Sequence, residues 1–137
     1  MKRNNLIILL AASLMAACDG ATSTTDLSGV EGVWGLEAFQ LDNGSVQDVP
    51  DAQTFTLGFE AAGSVHAQVD CNSCSGSYEV DGNSIKLGLL ACTRVACPAG
   101  SLDHQFHTAL GSAAAFMRAG SELSIRYAGG TMSFQLR

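Results

Sequence analysis

Apolar and polar residues alternate at period two through much of the chain, the spacing of strands buried on one face. Phe55, Leu57 and Phe59 share one face of a strand expected near 53–60, and Val65, Ala67 and Val69 share one near 64–70. Tyr78 and Val80 lead into Asp81-Gly82-Asn83 and return through Ile85 and Leu87, a hairpin in which Asp-Gly supplies the positive φ that tight turns need. Leu123, Ile125 and Tyr127 alternate up to Gly129-Gly130, and Met132, Phe134 and Leu136 alternate after it, giving a second hairpin. One segment departs from this rhythm. Leu102, Phe106, Ala109 and Leu110 fall at helical spacing, with Ser101 as the expected cap, Asp103 in the first turn and Gly111 as the stop. The pattern predicts a mainly β fold: a compact antiparallel β domain, open and barrel-like, with one inserted α-helix lying on the sheet.

The first seventeen residues follow a different logic. Lys2 and Arg3 precede an apolar run from Leu6 to Ala17, and small residues stand just before Cys18, the layout of an export signal. A membrane-spanning helix needs about 20 apolar residues, so this run is too short to remain as an anchor. Leu14-Met15-Ala16-Ala17-Cys18 resembles the lipobox of bacterial lipoproteins, with Met15 where leucine is more usual. The resemblance implies cleavage before Cys18 and acylation of its thiol. Each buried methylene contributes about 0.8 kcal/mol, so two or three chains hold stably. The expected organisation is a signal peptide over 1–17, lipidated Cys18 with a small, polar tether over 18–29, and a folded domain over 30–137. The expected location is the bacterial envelope, lipid-anchored and facing the periplasm, on either the inner or the outer membrane.

Loss of the leader leaves about 120 residues, enough for one domain with a modest core. It also removes two of the seven basic residues, so five face thirteen acidic ones and the body carries about −8. Such a surface repels phosphates, which argues against nucleic acid as a partner.

Four cysteines remain in the body, as Cys71-x-x-Cys74 and Cys92-x4-Cys97. Export delivers them to an oxidising compartment, where cysteines persist as disulfides. On an extended segment, three steps of about 3.3 Å put the α-carbons of Cys71 and Cys74 roughly 10 Å apart. A disulfide spans at most about 7 Å. Bridges between the two clusters are therefore expected. Spacing alone allows a nested arrangement (71 with 97, 74 with 92) or a crossed one (71 with 92, 74 with 97); antiparallel segments, which bring outer residues together, favour the nested one. The competing zinc reading has a loose second half, and the competing redox reading places Asp70 where it would raise a thiol pKa rather than lower it.

Trp34-x-Leu36, Thr56-Leu57-x-Phe59, Cys71-Asn72-x-x-Ser75-Gly76-x-Tyr78, Thr93-Arg94-x-Ala96-Cys97-Pro98 and the helix bearing Phe106 and Leu110 resemble the META domain, over about residues 31–136. That family includes bacterial heat-shock lipoproteins of the J type. The resemblance implies a compact β domain with one helix, an association with envelope stress, antibiotic tolerance or motility, and no enzymatic site. It also implies that Cys71 with Cys97 is the family-typical pair. Cys74 and Cys92 stand where an apolar or aromatic residue and a serine are commoner, so together they resemble an added second bridge, in keeping with nesting. Asp70 replaces a usual glycine.

The remaining residues capable of chemistry do not form a recognisable constellation. His104 and His107 lie three apart on the predicted helix, with His66 as a third potential metal ligand, but no carboxylate completes a site. Ser75 and Ser77 lack a Gly-x-Ser-x-Gly elbow. Asn72 is expected to satisfy backbone groups at a turn, and Arg94 to neutralise Asp70 or Glu79. The sequence thus describes a non-enzymatic envelope lipoprotein, without cofactor or metal, acting through an envelope protein partner. The alternatives are a small-ligand binder with a cavity inside the β domain, or an inhibitor of an exported hydrolase presenting the acidic loop Asp42–Asp51.

Overall fold

The computed structural model describes residues 29–51 and 53–137. The predicted leader, Cys18 and nearly all of the tether lie outside the described residues. Ten strands and one helix follow in chain order: β1 (Gly32–Leu41), β2 (Val46–Asp48), β3 (Phe55–Phe59), β4 (Ser64–Val69), β5 (Asn72–Asp81), β6 (Ser84–Leu87), β7 (Ala91–Cys92), α1 (Asp103–Gly111), β8 (Ala115–Ala119), β9 (Glu122–Tyr127) and β10 (Gly130–Leu136). Every pairing is antiparallel, and β10 returns to pair with β1, so eight strands close into a barrel in the order β1-β3-β4-β5-β6-β8-β9-β10. Closure satisfies the edges that an open sheet would leave exposed. β2 and β7 are short additions to β1 and β5.

The alternation seen in the sequence decides what faces inward. Phe55, Leu57 and Phe59 of β3, Val65, Ala67 and Val69 of β4, and Leu123 and Ile125 of β9 are all buried. β1 carries a bulge between Leu36 and Ala38, so Trp34 and Leu36 point inward before it and Phe39 after it. The extra residue shifts the period by one and hides this long strand from a reading at strict period two. In the first predicted hairpin the loop is Gly82-Asn83, because Asp81 pairs with Ser84. Only Gly82 there takes a positive φ, 58°.

α1 begins at Asp103, one residue beyond the expected start, and runs through Gly111, with Ser112 following as its C-cap. Phe106, Ala109 and Leu110 form its buried face. Phe106 meets Phe55 edge-on at 5.1 Å between ring centroids and lies 6.3 Å from Phe134, so one side chain ties the helix to strands on both sides of β1. The barrel interior is filled by Trp34, Phe39, Leu57, Phe106, Leu110 and their neighbours. Trp34 is wholly buried, and its indole N–H donates to Val30 O at 2.7 Å, which satisfies the one polar atom that burial would otherwise orphan.

A cleft between the helix and a stapled loop

The chain after β6 does not leave the sheet. It continues along the same edge of β5, interrupted at residues 88–90, and pairs again as β7. Gly88 N–H donates to Ser77 O at 2.8 Å, and the loop then presses onto Gly76: a β-carbon there would lie 2.9 Å from both Leu89 O and Leu90 Cδ2. Glycine is therefore required for the crossing. The interruption turns Leu89 fully outward and leaves it 100% exposed, while Leu90 packs against the core.

Both disulfides fix the segment beyond. Thr93 N–H donates to Ser73 O at 3.0 Å, which makes Cys74 and Cys92 the adjacent non-hydrogen-bonded pair, where side chains come closest. Their α-carbons are 4.0 Å apart and the two are bridged. Cys71 is bridged to Cys97, with α-carbons 5.4 Å apart, so the arrangement is nested. Cys71 sits in the turn between β4 and β5 rather than on an extended run, and Cys74 is well inside β5. With all four thiols paired, none is a zinc ligand or a free exchange nucleophile.

Asn72 is the buried polar side chain that organises the loop. Its Nδ2 donates to Val95 O at 2.9 Å, while its Oδ1 accepts from Val95 N–H at 2.7 Å and from the Thr93 hydroxyl at 3.0 Å. Nδ2 also approaches Cys97 Sγ at 3.4 Å. The side chain thus replaces the ladder partner that the loop backbone lacks, as expected of an Asn beside a turn.

The helix wall is held from the other side. Asp70 adopts φ 54°, a left-handed conformation in which glycine is easiest and Asp is among the tolerated alternatives. Its Oδ2 accepts from the Ser101 hydroxyl at 2.6 Å, and Ser101 Oγ in turn accepts from Asp103 N–H at 3.2 Å. Gln53 completes the helix start, its Oε1 accepting from Leu102 N–H at 2.8 Å and its Nε2 donating to Gly100 O at 3.1 Å. Ser101 is thus a capping group without occupying the cap position itself. Nothing in the sequence marks Gln53, because it lies 49 residues from the amide it satisfies.

Between these walls lies a cleft of about 810 Å³. Asp103, His104 and His107 line the helix side, and Leu90, Thr93, Arg94 and Val95 the loop side. Val69, Asn72 and the Cys74–Cys92 bridge contribute the remainder. Arg94 pairs with neither Asp70 nor Glu79, contrary to expectation: the Asp70 carboxylate is taken up by Ser101, and Arg94 has no hydrogen-bond or ion-pair partner among the described residues. His66 is elsewhere, on β4, 3.2 Å from Glu60, so it does not join the other histidines. Among the described residues no three His, Cys, Asp or Glu side chains come together as a metal set. A second cavity, of about 870 Å³, adjoins the β5–β6 hairpin and mixes Glu79 and Asp81 with Lys86. The acidic stretch 42–51 is partly strand: β2 pairs with β1, and Asp42 holds Arg126 at 2.8 Å.

A closed antiparallel β barrel with a single helix and a loop stapled against it defines a class of small β domains. Within that class the chain belongs to the META domain family, whose model matches residues 25–137. It is similar to the NMR structure of a protein from Burkholderia xenovorans, with 24% identity, TM-score 0.68, 96% of this chain covered and 99% of that one. It is also similar to the crystal structure of a duf4847 family protein from Bacteroides vulgatus, with 17% identity, TM-score 0.56, and 78% and 93% covered. At these identities the likeness concerns the fold. No curated protein matches the sequence.

Proposed function

We propose that this META-domain chain is a lipid-anchored, periplasm-facing module that acts without catalysis, by binding an envelope protein through its stapled loop. The observation that carries this reading is Leu89. It stands fully exposed on a loop held by two disulfides and the Asn72 network, and Val95 on the same loop is 58% exposed. Burying a leucine is worth about 1.5–3 kcal/mol, which a flexible loop could recover by folding inward. A fixed loop instead keeps the side chain presented and lowers the ordering cost of association. The leader and Cys18 support the anchored location.

Capture from crosslinked envelopes tests the reading, comparing the wild-type chain with a Leu89→Ser, Val95→Ser double variant of equal thermal stability. A specific partner recovered by the wild type and reduced about tenfold or more in the variant is expected. Identical recovery by both chains, or no specific partner alongside substrate turnover by the purified protein, would overturn it.

A further inference from the structure

Among the arginines of the folded body, Arg126 and Arg137 hold carboxylates, at 2.8 and 3.2 Å, and Arg118 lies over the Trp34 ring at 5.1 Å. Arg94 is different. It is exposed, it has no partner among the described residues, and it lines the same cleft as two imidazoles. In a chain with a net charge of −6, the cleft gathers three nitrogen donor groups against one carboxylate, that of Asp103. Asp103 lies in the first turn of α1, where the backbone N–H groups partly offset its charge.

We propose that the cleft between α1 and the 89–97 loop receives a carboxylate-bearing segment of a protein partner. An acidic side chain seats against Arg94, His104 and His107, and a neighbouring apolar side chain against Leu90 and Val95. This deepens the reading of the loop as a protein-binding surface and rests on it. A guanidinium offers a planar fork of donors that matches a carboxylate, and each imidazole supplies an N–H donor even when neutral. The volume, about 810 Å³, falls within the roughly 300–1,000 Å³ of ordinary ligand sites. Its lining includes the exposed residues Arg94, Val95, His104 and His107, so the cleft is open to solvent, which favours a chain passing through over a molecule enclosed. The positions of Arg94 and the histidines are fixed by different devices: the first lies between two bridged cysteines, and the others ride on a helix anchored by Gln53 and Ser101. The backbone that carries these donors is thereby held in place, while the Arg94 side chain stays free to reach an incoming carboxylate.

The test uses the full chain in detergent with two fluorescent probes, the peptide acetyl-Leu-Glu-Leu-Glu-Leu-amide and its counterpart with glutamine in place of both glutamates. Fluorescence anisotropy should show the acidic peptide binding about tenfold or more tighter, with Arg94→Glu abolishing that preference and Arg94→Lys retaining part of it. Arg94 is exposed, so these variants should fold, and unchanged thermal unfolding verifies it. Equal binding of both peptides, binding of neither, or a preference that survives Arg94→Glu would overturn the proposal. Envelope capture with the same variants separates it from the reading on which it rests. Capture that survives Arg94→Glu but fails with Leu89→Ser, Val95→Ser refutes the cleft and leaves the loop surface standing. Acidic-peptide binding without any envelope capture does the reverse.

Discussion

Asp70 carries two duties that pull in different directions. Its backbone takes a left-handed conformation that costs an ordinary L-residue about 1–2 kcal/mol, while its carboxylate holds Ser101 and through it the start of α1. Glycine relieves the first and forfeits the second; alanine forfeits both. Urea denaturation should therefore rank the wild type and Asp70→Gly above Asp70→Ala, with the two variants separated by about 1 kcal/mol. Equal midpoints for the two would contradict a backbone role at this position. Asn72 is the more consequential residue. Truncation to alanine leaves the Val95 and Thr93 groups without their partner, and Asn72→Ala should cost about 2–3 kcal/mol in the same measurement. A loss under about 0.5 kcal/mol would mean that water replaces the side chain at no cost. Asn72 was legible in the sequence as a residue beside a turn. Arg94 was not, because its lack of a partner depends on where Ser101 brings Asp70, thirty-one residues along the chain.

Elements were legible where alternation is strict and hidden where the fold breaks it. β3, β4, the two hairpins and α1 all show their periods, and their inward residues follow from the pattern except at the end of β10, where Leu136 is exposed. β1 is hidden by the bulge at Glu37, which moves the buried set from Trp34 and Leu36 to Phe39. β8, Ala115–Ala119, has no alternating apolar face, and most of it is exposed. The run Leu87-Gly88-Leu89-Leu90 does break period two, and it marks the place where the edge of β5 changes partner from β6 to β7. The two staples follow this interruption. In the chain-entropy model each closes a loop worth about 3 to 4 kcal/mol by itself, and less for the second once the first is present. Replacing Cys71 and Cys97 together by alanine, or Cys74 and Cys92 together, should each lower stability by about 2–3 kcal/mol, read from non-reducing denaturation. If either pair could be removed without effect, the loop would not be under that constraint. Gly76→Val belongs to this scale too: it should displace residues 88–90, and hydrogen exchange should then show faster opening at Gly88, whose N–H bonds to Ser77.

At the scale of the whole molecule, the barrel depends on one plug. Phe106→Ala removes the ring between Phe55 and Phe134 and should cost about 3–5 kcal/mol, enough to unfold much of the population of a domain this size. Alkaline stability gives an independent reading of the packed state. Burial chiefly, with help from Glu31, raises the Tyr78 pKa above its usual value; burial, with Asp42 adding and Arg126 opposing, raises that of Tyr127. A raised value for an acid means that the folded state holds its proton longer. The stability this contributes is present below the unfolded pKa, about 10, and is lost as pH rises through the folded one. Tyr78→Phe should flatten the decline of melting temperature above about pH 10, at the expense of the hydroxyl's bond to Glu60 O, 2.7 Å long. An undiminished decline would assign it to other groups. The acidity of the chain and a compact antiparallel β domain with one helix were readable from composition and pattern; closure of the barrel was not, because it rests on β10 returning to pair with β1. The candidate binding cleft was not, since it depends on how the 89–97 loop and α1 fold back against each other, which spacing along the chain does not reveal.

The central claim is that one cysteine attaches the protein to the membrane and four brace the surface through which it binds. Non-reducing peptide mapping with intact-mass determination on protein taken from membranes tests it most directly. Trypsin cuts at Arg94 and so separates Cys92 from Cys97, while fragmentation distinguishes Cys71 from Cys74, which share a peptide. The account predicts Cys71 linked to Cys97, Cys74 linked to Cys92, and a mature chain that begins at an acylated Cys18. A bridge within Cys71-Asn72-Ser73-Cys74, free thiols in the body, or an unmodified Cys18 would contradict it.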